Sequence, residues 1–119
     1  MENILRVVTF SRTPGARRPW EGKFSGEEYR ETVVFPAISA MIARNGLNEV
    51  LTIDLDGGTG YGTSWVEEVF GGLVCENHIS EAVLKMHLRI KSVEEPYLIE
   101  DVWEYIREAQ EEVESFEKA

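Results

Sequence analysis

What the chain has little of narrows its chemistry first. A single cysteine, Cys75, stands among 119 residues, which excludes an internal disulfide. Set among helical residues, it reads as a buried structural thiol rather than a reactive one. The two histidines, His78 and His87, do not combine with that cysteine at metal-ligand spacing, so neither a metal nor a cofactor is expected. No apolar run approaches the roughly 20 residues needed to cross a bilayer. Met1-Glu2-Asn3 lacks the basic and apolar regions of a signal peptide, and a cytoplasmic protein is therefore expected. Lysine and arginine are scarce, 12 against 22 aspartates and glutamates, for a net charge of −10. That deficit speaks against direct nucleic-acid binding, which draws affinity from neutralised phosphates. A hydrophobic content of 43% over this length fits one domain, residues 1–119, with one core.

The charge that is present is unevenly placed. Residues 94–119 hold ten acids against Arg107 and Lys118, whereas residues 1–24 hold Arg6, Arg12, Arg17, Arg18 and Lys23 against Glu2 and Glu21. The acidic stretch reads either as a solvated helix face or as a surface for a basic partner.

Apolar periodicity predicts the order β-α-β-α-β-α. Ile4–Phe10 reads as a strand, followed by a loop to Phe24 that carries three arginines near Pro14, Pro19 and Trp20. Ser25-x-x-Glu28 is a capping box opening a helix with Tyr29, Val33, Ala37, Ala40, Met41 and Arg44 on one stripe. Pro36 is expected to kink or split that helix, and Asn45-Gly46 to end it. Leu47–Leu55 is the second strand, with Asp54 out of place in it. Trp65, Val66, Val69, Phe70, Leu73 and Val74 form the next stripe, interrupted by Gly71-Gly72, a pair that marks a close helix approach. A short helix over Ser80–Lys85 and a strand over Met86–Lys91 follow, with His87 as a packing or surface residue. From Pro96 the positions Leu98, Ile99, Val102, Trp103, Ile106, Val113 and Phe116 give a long amphipathic helix. Alternation of this kind implies a small α/β fold with a mostly parallel sheet, right-handed crossovers and helices packed on it.

The stretch Asp54-Leu55-Asp56-Gly57-Gly58-Thr59-Gly60-Tyr61-Gly62-Thr63-Ser64-Trp65 is a strand end, a glycine-rich turn and a helix start. In parallel sheets ligands and partners meet the carboxyl ends of the strands, where this turn falls. Ser64-x-x-Glu67 reads as a second capping box with Ser64 as N-cap. The turn lacks the Gly-Lys-Ser/Thr ending of a P-loop, its Gly58-x-Gly60 is not completed to a dinucleotide fingerprint, and Ser64 lies in no Gly-x-Ser-x-Gly elbow. Asp56, with Asp54, either holds a magnesium ion or fixes the turn by local hydrogen bonds. No nucleophile, base and oxyanion site assembles, so no catalytic residue is expected.

Five segments together resemble a known family: Phe24-Ser25-Gly26-Glu27-Glu28-Tyr29-Arg30-Glu31, Ile53-Asp54-Leu55-Asp56-Gly57, Gly60-Tyr61-Gly62-Thr63-Ser64-Trp65, Phe70-Gly71-Gly72-Leu73-Val74, and Ile90-Lys91-Ser92 through Leu98-Ile99-Glu100. They are similar to the STAS-like domains of unknown function found in bacteria and their mobile elements. STAS domains proper include anti-sigma-factor antagonists, which bind a kinase-like regulator and are switched by phosphorylation at the start of the helix after a central strand. The resemblance implies that this position is Thr63, beside Ser64; Gly62 stands where the antagonists usually carry an aspartate. The leading expectation is a non-enzymatic regulatory module that binds a protein partner through Asp56, Gly58, Thr59, Tyr61, Thr63, Ser64 and Trp65. One alternative is a phage or mobile-element inhibitor that offers Glu104, Glu108, Glu111 and Glu112 to a nucleic-acid-handling complex. Another is a nucleotide or phosphometabolite binder, with Arg12, Arg17 and Arg18 folding over the anion.

Overall fold

A computed structural model describes residues 3–44, 49–58 and 60–118, with only the backbone of Lys118. Three four-residue strands, β1 (Asn3–Arg6), β2 (Leu51–Asp54) and β3 (Leu88–Lys91), form an all-parallel sheet in the order β1-β2-β3. The register sets Arg6, Asp54 and Lys91 in one row at the carboxyl end, and Leu5, Ile53 and Ile90 in the row before it. Because side chains alternate along a strand, Leu5, Leu51, Ile53, Leu88 and Ile90 point to the helices. The other face carries Ile4, Arg6, Arg89 and Lys91, all open to solvent.

Several expected boundaries move, each for a local reason. β1 ends at Arg6, because Asp54 is the last residue of β2 to pair with it. The chain then coils into one helical turn, α1 (Val7–Phe10), in which Ser11 N–H closes on the Val7 carbonyl at 2.9 Å. Phe10 thereby leaves the strand direction and packs on Tyr29, with centroids 4.8 Å apart. In the loop that follows, Pro19–Glu21 forms a single 3₁₀ turn. The α6 helix (Glu81–His87) runs two residues further than expected and takes Met86 and His87 from the strand. His87 is buried, its Nδ1 3.0 Å from the Glu49 carbonyl. Asn45-Gly46 and the first residues of the expected second strand, Leu47 and Asn48, lie outside the described residues.

The second helical segment shows why its apolar stripe shifts. Ser25 caps it as expected, its hydroxyl accepting Glu28 N–H at 3.0 Å. α2 (Gly26–Tyr29) then passes through a π turn over Arg30–Val34 into α3 (Phe35–Ala43). A π turn spans five residues rather than four. After Tyr29 the buried apolar positions are therefore Val34, Ile38 and Met41, while Val33 and Ala37 are only half-buried and Ala40 and Arg44 are exposed. Pro36, which has no N–H to give, sits two residues past the end of that turn, so the hydrogen-bond pattern changes near where the sequence predicts a break.

The third segment repeats the pattern: α4 (Thr63–Val66), a π turn over Glu67–Gly71, and α5 (Gly72–Cys75). Trp65, Val66, Val69, Phe70, Leu73 and Val74 are all buried. The paired glycines mark a close approach on two sides. Gly71 faces α7 (Tyr97–Lys118), where a Cβ would lie 3.6 Å from the Tyr105 carbonyl; at Gly72 a Cβ would stand 2.5 Å from Nε of Arg30. α7 buries Leu98, Val102, Ile106 and Ala109. Trp103 and Val113 are partly buried against the core. Phe116, expected on the stripe, is 84% exposed. At about 1.5 Å per residue the 22-residue helix is roughly 33 Å long, and Phe116 near its end borders an open groove with Cys75 and His78. Cys75 is half-buried rather than buried, and burial together with nearby glutamates raises its thiol pKa, which suits a structural role.

Candidate functional site

The row Arg6-Asp54-Lys91 closes the sheet at its carboxyl end. Asp54, the residue that looked out of place, is buried with Arg6 Nε at 3.6 Å and Lys91 Nζ at 3.8 Å. Its Oδ1 also accepts Asp56 N–H at 2.9 Å. Cation, anion and cation across three strands neutralise a carboxylate that could not otherwise be buried.

Beyond the row, Asp56 ties two turns together. Its carboxylate accepts the N–H groups of Val93 at 2.8 Å and Glu94 at 2.9 Å, and Gly57 N–H donates in return to the Glu94 carboxylate. The amide donors of Glu94 and Val93 hold the Asp56 pKa below its ordinary value. Gly57 and Gly60 have φ of 94° and 135°, in the region that glycine reaches without strain. Gly58 packs against the Arg12 carbonyl and the Tyr61 hydroxyl, so the loop after α1 lies over the turn. Thr59 lies outside the described residues.

The aromatic residues of the turn face inward. Tyr61 donates its hydroxyl to the Leu55 carbonyl at 2.6 Å and sets its ring 5.6 Å from that of Trp65. Burial, with Asp54 and Asp56 nearby, raises its pKa to about 12. Trp65 is fully buried, its indole N–H donating to the Phe24 carbonyl at 3.1 Å. Trp65, expected both on the apolar stripe and among the partner-binding residues, keeps the first place and not the second: it is the floor beneath the turn. Ser64 as N-cap is corrected too, since α4 begins two residues earlier, at Thr63. Gly62 is the N-cap, its carbonyl accepting from Trp65 and Val66, and no side chain caps this helix. Thr63 is exposed at the first helical position, and Ser64 is half-buried behind it.

Two exposed apolar side chains complete this end of the molecule and escape sequence reasoning. Val93 is 71% and Tyr97 56% exposed, and the Asp56 bonds bring their segment beside the Gly57 turn. Two of the loop arginines go elsewhere. Arg17 pairs with Glu67 at 2.5 Å and Glu68 at 3.4 Å, and Arg18 with Glu27 at 2.6 Å and Glu68 at 3.4 Å.

Glu68 is thus the hub of a second arrangement, one that sequence reasoning missed. Only 4% exposed, it receives Arg30 Nη2 at 2.9 Å, and its carbonyl takes Arg30 Nε at 3.2 Å. Arg30, 2% exposed, also reaches Glu31 and Asn77. The pair joins the two π turns. A signal existed: Glu68 falls three after Trp65 and four before Gly72, and Arg30 four before Val34, both on buried stripes. The expected acidic face, Glu104, Glu108, Glu111 and Glu112, is exposed along α7. Glu108 and Glu112 meet Glu67 and Glu76 around a groove of about 270 Å³ over Gly71 and Gly72.

The profile of the STAS-like domain of unknown function (DUF4325) matches residues 25–98. The chain belongs to that family. Within this STAS-like domain the matched span begins at the N-cap Ser25 and ends in the first turn of α7, so it includes the candidate turn and the Arg30–Glu68 pair. β1, the Arg17-Arg18 loop and most of α7 lie outside it. No curated protein and no solved structure matches the chain. Among the described residues no helix is long and apolar enough to cross a membrane, and no cluster of histidine, cysteine and carboxylates could hold a metal ion.

Proposed function

We propose that this STAS-like domain is a non-enzymatic regulatory module that binds a protein partner, in the manner of a kinase-like regulator's ligand, at the carboxyl end of its sheet. The observation that carries the reading is the exposed Thr63, at the first position of a helix that no side chain caps, beside the exposed Val93 and Tyr97. Apolar and aromatic side chains of this kind supply contact energy. The helix start supplies the control, because a phosphate at Thr63 adds about −1.5 to −2 charges where the helix dipole favours them. Asp56, Gly58, Tyr61 and Trp65 build the platform; Thr63, Val93 and Tyr97 make the contact.

The test begins with a partner captured on the wild-type protein and identified. Thr63→Glu and Tyr97→Ala are each expected to weaken binding of that partner by at least about 1 kcal/mol in calorimetry, with the melting temperature of the domain kept. A second reading rests on the groove bordered by Glu67, Glu76, Glu108 and Glu112, where carboxylates outnumber Arg17 and Arg18 in the lining; it suits a basic segment of a nucleic-acid-handling complex. Charge reversal at Glu108, Glu111 and Glu112 that abolishes binding, with Thr63→Glu and Tyr97→Ala silent, selects that reading instead.

A further inference from the structure

The two edges of the sheet are treated differently. On β3, Arg89 folds its guanidinium onto the carbonyls of Lys85 and Leu88, at 3.0 and 2.9 Å, and Lys91 stands two residues on. Charge of this sort blunts a strand edge against pairing. β1 has β2 on one side and, among the described residues, no strand on the other. Its sequence is Asn3-Ile4-Leu5-Arg6. The one charge, Arg6, is engaged with Asp54, and Ile4 remains 49% exposed.

Along this open edge run two grooves, of about 360 and 440 Å³, that share Ile4 and Leu5. Their far wall is helical, built from Tyr29 and Val33 in one and Ala37 and Ala40 in the other. Arginine stands at either end, Arg44 and Arg6, and neither groove has a carboxylate in its lining. The adjoining α3 has no charged residue from Phe35 to Ala43, yet Pro36, Ala40, Ile42 and Ala43 are exposed. A helix apolar around its circumference belongs in an interior.

We propose that a second copy of the chain covers this surface: β1 pairs antiparallel with the partner's β1 about a two-fold axis, joining two three-stranded sheets into one of six and laying α3 against α3. Three observations choose this occupant. Two chains of net charge −10 repel over most of their surfaces, and this region, whose grooves have no carboxylate in their lining and whose flanking Arg44 and Arg6 are balanced by Glu49 and Asp54, is where they can meet. A four-residue strand is too small an interface by itself, since a stable dimer buries about 600 Å² or more per partner, and the uncharged α3 beside it adds the area. The pairing is also self-complementary. Opposed residues of an antiparallel pair share a face, so a residue lies on the axis; with Ile4 there, Ile4 meets Ile4 and Leu5 meets Asn3, and the two Arg6 side chains sit at opposite ends.

Sedimentation equilibrium of the wild type is expected to give twice 13.6 kDa, with a dimer that tightens as salt screens the repulsion. Ile4→Lys with Ala40→Glu, both at exposed positions, is expected to sediment as a monomer with an unchanged circular dichroism spectrum. A disulfide test stands independently of that variant. In a Cys75→Ser background, Ile4→Cys is expected to oxidise to a covalent dimer far faster than Trp20→Cys, although position 20 is the more exposed of the two. A wild type that stays monomeric up to millimolar concentration overturns the proposal and leaves the edge to a strand from another protein. So does a dimer that survives Ile4→Lys/Ala40→Glu, or one that cross-links no faster through position 4 than through position 20.

Discussion

Glu68 shows how much one buried charge can organise. It is reached by three arginines from two segments, Arg17 and Arg18 from the loop and Arg30 from the π turn. Glu68→Gln takes from Arg30 its one buried counter-ion and leaves it the more exposed Glu31, and the expected loss is about 3 kcal/mol, the lower end of the range for a broken buried pair, in urea denaturation. Arg17 is a third exposed, so Arg17→Ala is expected to cost about 1 kcal/mol or less. Equal losses in the two variants would contradict this ranking of buried over exposed. Tyr61 makes a second residue-scale prediction. Its pKa in the fold, about 12, lies above the ordinary value of 10, so the folded state favours the neutral phenol. The stabilisation is complete below about pH 10 and is lost as pH rises through 12. Spectrophotometric titration is expected to show a late phenolate step that Tyr61→Phe removes, and alkaline stability is expected to fall less steeply in that variant.

At the scale of the element, the two π turns decide what the helices do. Each spans an extra residue, which shifts the apolar stripe in the second segment while the third keeps Trp65, Val66, Val69, Phe70, Leu73 and Val74 buried, and Arg30 and Glu68 sit where the turns face each other. The neighbouring glycines should respond in opposite senses to alanine. At Gly71 the new Cβ meets nothing nearer than 3.6 Å, and removing a mid-helix glycine is worth up to about 1 kcal/mol, so Gly71→Ala is expected to raise the melting temperature. At Gly72 the Cβ would lie 2.5 Å from Arg30 Nε, and Gly72→Ala is expected to lower it by displacing Arg30 from Glu68. Differential scanning calorimetry of the two variants side by side checks both signs. Pro36 takes its place beside the first π turn for a related reason, as a residue with no N–H to place.

For the molecule as a whole, the helices of the described residues pack on one side of the sheet, and the two proposed contacts lie in separate regions. The carboxyl end, with Thr63, Val93 and Tyr97, is the proposed contact for a protein partner; the β1 edge with α3 is the proposed contact for a second copy. The two respond oppositely to salt if the acidic α7 is the partner surface, since its attraction to a basic protein weakens while self-association strengthens. Measuring partner binding and dimer mass across the same salt series separates them. Large-to-small changes should also grade with depth. Phe70→Ala, at a fully buried position, is expected to cost about 3–5 kcal/mol, and Trp103→Ala, partly buried, less than that by equilibrium unfolding.

By itself the sequence determined the order of strands and helices, the parallel sheet, the Ser25 cap, the glycine-rich turn at the strand end and the stripes of α4, α5 and α7. These rest on local chemistry and on periodicities written along the chain, which survive without knowing what packs on what. It also held the family likeness, carried by short segments. Tertiary structure alone decided that Trp65 lies under the turn rather than on it. It ended β1 where its partner strand ends, started α4 at Thr63 instead of after Ser64, and moved the second stripe from Val33 and Ala37 to Val34 and Ile38 through a π turn. The same holds for Asp54, Asp56 and Glu68. A carboxylate in a sequence shows its charge but not its neighbours, and the cations and amides that neutralise these three come from segments as many as 51 residues away, which only the folded chain brings within hydrogen-bonding distance.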